Sequence, residues 1–173
     1  MGPLRRLLFV LLFCFPACGG DQSHSIEIGS LEALKASLFP SESGPSTPRI
    51  VNLWATWCAP CIAEIPDLLE ATSTSDANGL SLHTISFDLM VPGVTDDAAI
   101  ESVRSYMVSE GYSFPVFIYD EDDYEGINEA LNLPGPIPVT LAFDEGGREV
   151  GRIEGAASLD EFRELVALAL GGQ

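Results

Sequence analysis

Trp54-Ala55-Thr56-Trp57-Cys58-Ala59-Pro60-Cys61-Ile62-Ala63-Glu64 is the stretch on which the reading of this 173-residue chain turns. The apolar run Ile50–Ala55 leads into it and has the composition of a buried strand. A helical pattern leads out, from near Cys58 to about Ala71, with a bend expected at Pro66. Cys58 therefore falls at a helix N-terminus, where unpaired backbone N–H groups and the helix dipole stabilise a thiolate. Two intervening residues bring Cys61 about one turn behind it. Cys58 is then the exposed attacking nucleophile and Cys61 the more buried resolving thiol. Trp57 shields the sulfur without adding charge, and Pro60 stiffens the first turn, where its missing N–H costs little.

Outward from this stretch, strands and helices alternate. Ser30–Phe39 spaces Leu31, Leu34 and Leu38 as a short amphipathic helix opened by Ser30, and Pro40–Pro48 reads as a loop. Leu80–Leu89 is expected as a strand. Asp96–Glu110 is expected as a helix with Ile100, Val103, Met107 and Val108 on one face. Phe114–Tyr119 reads as a short strand and Tyr124–Leu131 as a short helix. Val139–Phe143 and Glu149–Ile153 flank Asp144-Glu145-Gly146-Gly147 as a hairpin. The last helix opens with Ser158 and Glu161 in capping-box register and buries Leu159, Phe162, Leu165, Val166 and Ala169. This order points to one mixed sheet flanked by helices, an α/β class.

The start of the chain is an address. Arg5 and Arg6 precede the apolar run Leu7–Phe15, which is far below the roughly 20 residues needed to span a bilayer. A charged stub, a short apolar stretch and small residues describe a secretory signal peptide over residues 1–17. The junction Phe15-Pro16-Ala17-Cys18-Gly19-Gly20 resembles a bacterial lipoprotein signal, which implies lipidation of Cys18 and a polar tether over 18–25. Ordinary cleavage nearby is the alternative. On either reading the domain, residues 26–173, works outside the cytoplasm, in the periplasm or cell envelope. Eight basic residues against 26 acidic ones give a net charge of −18. Losing Arg5 and Arg6 with the leader leaves six basic residues and −20. A surface this acidic repels nucleic acid and anionic lipid, so no nucleic-acid partner is expected.

A Cys-x-x-Cys pair has rival readings. A zinc site or iron–sulfur cluster needs two more ligands at suitable spacing. After leader removal the only other cysteine is Cys18, and the only histidines are His24 and His83. No metal and no cofactor is expected. A structural disulfide would normally close a longer loop than this one. Dithiol redox chemistry is the favoured reading.

The run Trp54–Cys61, followed by Glu64-Ile65-Pro66, resembles the active site of TlpA/ResA-type thioredoxin-like proteins, extracytoplasmic membrane-tethered thiol–disulfide oxidoreductases that often act in cytochrome c maturation. The resemblance runs from about Arg49 to the C-terminus. It implies a thioredoxin-like fold with a helical insert supplied by Asp96–Glu110. It places Asn52 where thioredoxins proper carry a buried acid, and Glu64 where a glutamate tunes the cysteines. Nearby negative charge raises thiol pKa values and can accept a proton. It also makes Ile137-Pro138 a cis-proline loop facing the cysteines, with the backbone at Ile137 free to pair with an extended substrate. Pro134 and Pro136 compete for that place, but only Pro138 abuts the strand. The partners implied are disulfide-containing protein substrates, a membrane thiol-relay reductant, and the membrane itself through Cys18.

Other readings of the same residues remain. An oxidase or isomerase of this fold would run the pair in the other direction. A peroxiredoxin-like peroxidase expects Pro and Thr seven and three residues before the attacking cysteine, where Val51 and Ala55 stand. A copper-binding module of related fold would want three residues between its cysteines and a distal histidine. Asp120-Glu121-Asp122-Asp123 has neither the glycine at position six nor the glutamate at twelve of a calcium loop. His83 reads as a core or sheet-edge histidine, and Trp54 as packing beside the site.

Overall fold

The computed structural model describes residues 25–39, 47–74, 77, 79–120 and 124–172. The expected leader, Cys18, nearly all of the tether, most of the Pro40–Pro48 loop and Glu121–Asp123 lie outside the described residues. In chain order the elements are β1 (Ile26–Gly29), α1 (Leu31–Leu38), β2 (Arg49–Trp54), α2 (Ala59–Ser73) and β3 (Ser81–Ser86). A 3₁₀ turn (Asp88–Met90), α3 (Asp96–Glu110), β4 (Val116–Tyr119), α4 (Tyr124–Leu131), β5 (Val139–Phe143), β6 (Glu149–Glu154) and α5 (Leu159–Ala169) follow.

The strands form one sheet in the order β1-β4-β3-β2-β5-β6. The first four are mutually parallel, while β5 runs antiparallel to β2 and β6 antiparallel to β5. The expected mixed sheet is therefore present. β2 lies inside the sheet with every residue buried, which is why Ile50, Val51, Leu53 and Trp54 give it an apolar run interrupted only by Asn52 rather than an alternation. α2 and α5 pack with Ile50 and Ala142 in one cluster, where Leu68, Phe162, Leu165 and Val166 are buried. Each such side chain contributes roughly 1.5–3 kcal/mol by leaving water. α5 lies close on β6 because Gly151 has no side chain: a Cβ there would sit 2.9 Å from Leu165 and 3.0 Å from Leu168. Leu34, Leu38, Val51, Leu53 and Leu141 belong to the second cluster, which also receives Cys61 and Ile65.

Four details differ from expectation. β1 is not among the expected elements; Ile26-Glu27-Ile28-Gly29 alternates over only four residues, too short to stand out, and gains its place by pairing with β4. The strand expected over Leu80–Leu89 stops at Ser86, because Asp88 turns back to its own neighbours instead of continuing the ladder: its N–H donates to Ser86 Oγ at 3.1 Å. Val108 is 63% exposed. The buried seam of α3 is Ala99, Val103 and Met107 at i, i+4 spacing, and Val108 falls about 100° beyond it. Leu159 is only half-buried, whereas Phe162, Leu165, Val166 and Ala169 are buried as expected. The capping of α5 is present, with Ser158 donating both N–H and O–H to the Glu161 carboxylate. The helix expected as an insert forms over Asp96–Glu110 and is followed by β4, which stands between β3 and the edge strand β1.

Candidate active site

Register brings four chain segments to one end of the sheet. Trp54 pairs with Ser86, Leu53 with Val139, and Val139 with Glu154. The chain leaving β2, the chain leaving β3, the loop entering β5 and the chain leaving β6 therefore all meet there. Two backbone bonds join them, Phe87 N–H to the Trp54 carbonyl and Gly155 N–H to the Pro138 carbonyl, each 2.9 Å.

Cys58 and Cys61 are joined as a disulfide at this end, with Cα atoms 5.3 Å apart. Cys58 is the N-cap of α2, and its sulfur accepts from the Cys61 N–H at 3.4 Å, one of the donors a helix start leaves open. Contrary to the expected exposed nucleophile, Cys58 is 6% exposed; Cys61 is fully buried. The cover over Cys58 includes the loop before β5, since its Sγ lies 4.0 Å from the Ile137 carbonyl oxygen. That approach is a contact, because a disulfide sulfur carries no proton; a reduced Cys58 could donate there. The Ile137–Pro138 peptide is cis. Pro138 is buried and Ile137 half-buried. Trp57 is 54% exposed and Pro60 stands at the exposed first turn of α2.

Glu64, one turn further along α2, is 3% exposed. One carboxylate oxygen accepts from Asn52 Nδ2 at 3.1 Å and the other from the Ala157 N–H at 2.9 Å. The same Asn52 nitrogen also donates to Thr140 Oγ1 at 2.9 Å. Glu64 thus ties α2 to β2, β5 and the chain leaving β6. Burial pushes its pKa above the ordinary carboxylate value, and the bonds from Ala157 and Asn52 partly pull it back. Asn52 Oδ1 is buried without a partner among the described residues.

A second buried carboxylate was missed. Asp88, 4% exposed, accepts from the Thr56 N–H at 3.1 Å, from the Thr56 hydroxyl, and from the Ser86 hydroxyl at 2.6 Å. The usable signal was Ser86-x-Asp88 at the end of a strand, a pattern that favours local side-chain bonds over the ladder. Trp54 is fully buried, tilted against Tyr106 at 5.5 Å and edge-on to Phe114 at 5.9 Å. His83 sits in β3, away from the disulfide end, its pKa lowered by burial and by Arg49. Among the described residues no group of three or more His, Cys, Asp or Glu is placed to hold a metal ion. Among them, too, no helix is long and apolar enough to cross a membrane.

No family model matches the chain. It is 27% identical to the thioredoxin-like protein YneN of Bacillus subtilis over 128 residues, 74% of this chain and 66% of that protein. It is 29% identical to the thiol-disulfide oxidoreductase ResA of Oceanobacillus iheyensis over 114 residues, 65% of this chain and 52% of that protein. The chain thus spans between about half and two thirds of the length of these relatives. Among solved structures, a thioredoxin-family thiol:disulfide interchange protein of Chlorobium tepidum TLS superposes with a TM-score of 0.58 and 27% identity, covering 78% of this chain and 83% of that one. A thioredoxin-related protein of Neisseria meningitidis serogroup B superposes at 0.57 and 22% identity, covering 74% and 88%. The fold is thioredoxin-like.

Proposed function

We propose that this thioredoxin-like chain is a thiol–disulfide oxidoreductase that reduces protein disulfides through Cys58 and Cys61. The observation that carries the reading is the redox-capable pair itself: Cys58 at the N-cap of α2, disulfide-bonded to Cys61, with the Ile137 carbonyl 4.0 Å from the outer sulfur. The likeness to proteins named thiol-disulfide oxidoreductases supports it.

In the reduced protein the Cys58 thiolate attacks one sulfur of a substrate disulfide. A mixed disulfide forms and one substrate thiolate leaves. The Cys61 thiolate then attacks the Cys58 sulfur, releasing the second substrate thiolate. The substrate gains two electrons and the pair is left as the Cys58–Cys61 disulfide. The Ile137 backbone is placed to pair with an extended segment of substrate beside the sulfur. Glu64 tunes the pair and takes or returns the proton that Cys61 exchanges. Asn52, being uncharged, cannot be that base.

The finer reading places the domain outside the cytoplasm, held to the membrane by lipid on Cys18, with a membrane thiol-relay protein re-reducing the pair; cytochrome c maturation is a setting that fits. Labelling with palmitate tests Cys18. For the chemistry, Cys58→Ser is expected to lose protein-disulfide reduction entirely. Cys61→Ser is expected to accumulate mixed disulfides that dithiothreitol releases. Full turnover by Cys58→Ser would reject the assigned nucleophile.

A further inference from the structure

We infer that Asp88 is a positioning residue for Cys58: its carboxylate fixes the turn that presents the sulfur and sets a buried negative charge two residues before it, against Thr56, biasing the pair toward the oxidised, electron-donating side. This rests on the redox reading above.

The geometry begins with Thr56, two residues before Cys58. Both of its polar groups, N–H and hydroxyl, end on the Asp88 carboxylate. Trp54, two residues earlier, is held by Phe87 N–H, the neighbour of Asp88. The Cys58 N–H then closes the turn on the Ala55 carbonyl at 3.1 Å. The turn 54–58 is therefore clamped at alternate residues onto the chain leaving β3. Every partner of the Asp88 side chain is a donor, and Ser86 Oγ accepts from Asp88 N–H while donating its own proton back. All three bonds use carboxylate oxygens as acceptors, and none asks the group to donate. Among the described residues Asp88 has no salt bridge, so its charge is offset by dipoles alone.

Consecutive Cα atoms are about 3.8 Å apart, so the Cys58 backbone lies within about 8 Å of the Thr56 backbone. Thr56 is half-buried and Trp57 is exposed, so over that span a like charge is screened only in part and is still felt at the sulfur. Two carboxylates, Asp88 after β3 and Glu64 on α2, thus oppose the helix N-terminus that would otherwise make the Cys58 thiol strongly acidic. The 133–139 loop and the 155–157 segment bring no charged side chain to this end. Nearby titratable groups on the remaining elements are the phenols of Tyr119 and Tyr124, both packed on Phe87. A thiolate made less stable destabilises the reduced pair relative to the disulfide, the reverse of the stabilised reduced form that marks a strong oxidant.

The test is the pH profile of Cys58 alkylation in the reduced protein, with the equilibrium constant against glutathione measured alongside. Asp88→Asn is expected to lower the alkylation midpoint by about half a unit to one unit. It is also expected to make the couple more oxidising by up to about tenfold, or about 30 mV for two electrons. Thr56→Val, which cuts a clamp bond and keeps the charge, is expected to leave the midpoint in place. A midpoint shared by wild type and Asp88→Asn, or moved equally by both variants, would overturn the inference. If Asp88→Asn does not fold, the Asp88 carboxyl carbon resonance of the reduced wild type is the readout. It is expected to move as Cys58 titrates, and a flat resonance overturns the inference. Failure of the wild-type pair to be reduced or alkylated at all would instead reject the redox reading.

Discussion

Glu64 and Asp88 are both buried carboxylates at the disulfide end of the sheet, one on α2 beyond Cys61 and one beyond β3 below Thr56, and they are held differently. Glu64 receives two donors, one on each oxygen, and burial is the larger influence on its proton. Asp88 receives three donors from two residues. The first is a group that can keep or release a proton, the second an acceptor of three bonds that anchors a turn. One disulfide thus sits between a carboxylate whose proton burial favours and one that anchors a turn.

The largest expected effect separates the two by stability. A buried donor stripped of its acceptor costs about 1–3 kcal/mol. Asp88→Ala strips the Thr56 N–H, the Thr56 hydroxyl and the Ser86 hydroxyl. Glu64→Leu fully strips only the Ala157 N–H, since Asn52 Nδ2 keeps Thr140 Oγ1, and it removes a carboxylate that burial already disfavours. Denaturant midpoints are expected to fall further for Asp88→Ala, by about 3 kcal/mol or more against about 1–2 kcal/mol for Glu64→Leu. The opposite ranking would break the contrast.

A smaller effect concerns pH. Burial raises Glu64 in the folded chain above its ordinary value of 4.5. The folded state therefore keeps that proton where the unfolded chain has lost it, so Glu64 favours folding below about pH 4.5 and that contribution is lost as pH rises through the elevated folded value. Glu64→Gln is expected to flatten this window. The site can accommodate it if the Asn52 amide turns over, so that Oδ1, buried without a partner among the described residues, accepts from the new amide and from the Thr140 hydroxyl. Stability measured against pH in both proteins checks this; an identical slope in Glu64→Gln would reassign the window to other groups.

This contrast also explains what could be read before any coordinates. The turn at Cys58, the helix after it and the last helix with its Ser158–Glu161 cap were legible because each is announced by local chemistry: a strand-to-helix switch, a proline at the first turn, a capping pair. Glu64 and Pro138 were legible only through resemblance, since nothing local says that a helical glutamate is buried or that a proline faces a distant cysteine. Asp88 was hidden for another reason. Ile85-Ser86-Phe87-Asp88-Leu89 alternates apolar and polar as a strand does, which masks the Ser86-x-Asp88 pattern, and only the pairing of Trp54 with Ser86 brings Thr56 within reach to end the strand there. β1 was missed because its partner, β4, is about ninety residues away. Val108 was misplaced because two apolar faces of α3 compete, and which one is buried depends on what packs against the helix.

The smallest expected effect asks whether the two carboxylate networks are separate. Ser86 and Thr56 act on one carboxylate, Ser86 through a hydroxyl that both donates to Asp88 and accepts from it. Thr140 belongs to the other network, reached through Asn52. Ser86→Ala and Thr56→Val therefore share a partner, and a double-mutant cycle on them is expected to give a coupling of about 0.5–1 kcal/mol. Thr140→Val and Thr56→Val share none, and their effects are expected to add within about 0.5 kcal/mol. Each single change should cost about 1 kcal/mol, so both cycles are measurable in a chain that still folds. Strong coupling between Thr140 and Thr56 would mean that the two carboxylate networks are mechanically linked through the disulfide end and form one cooperative unit.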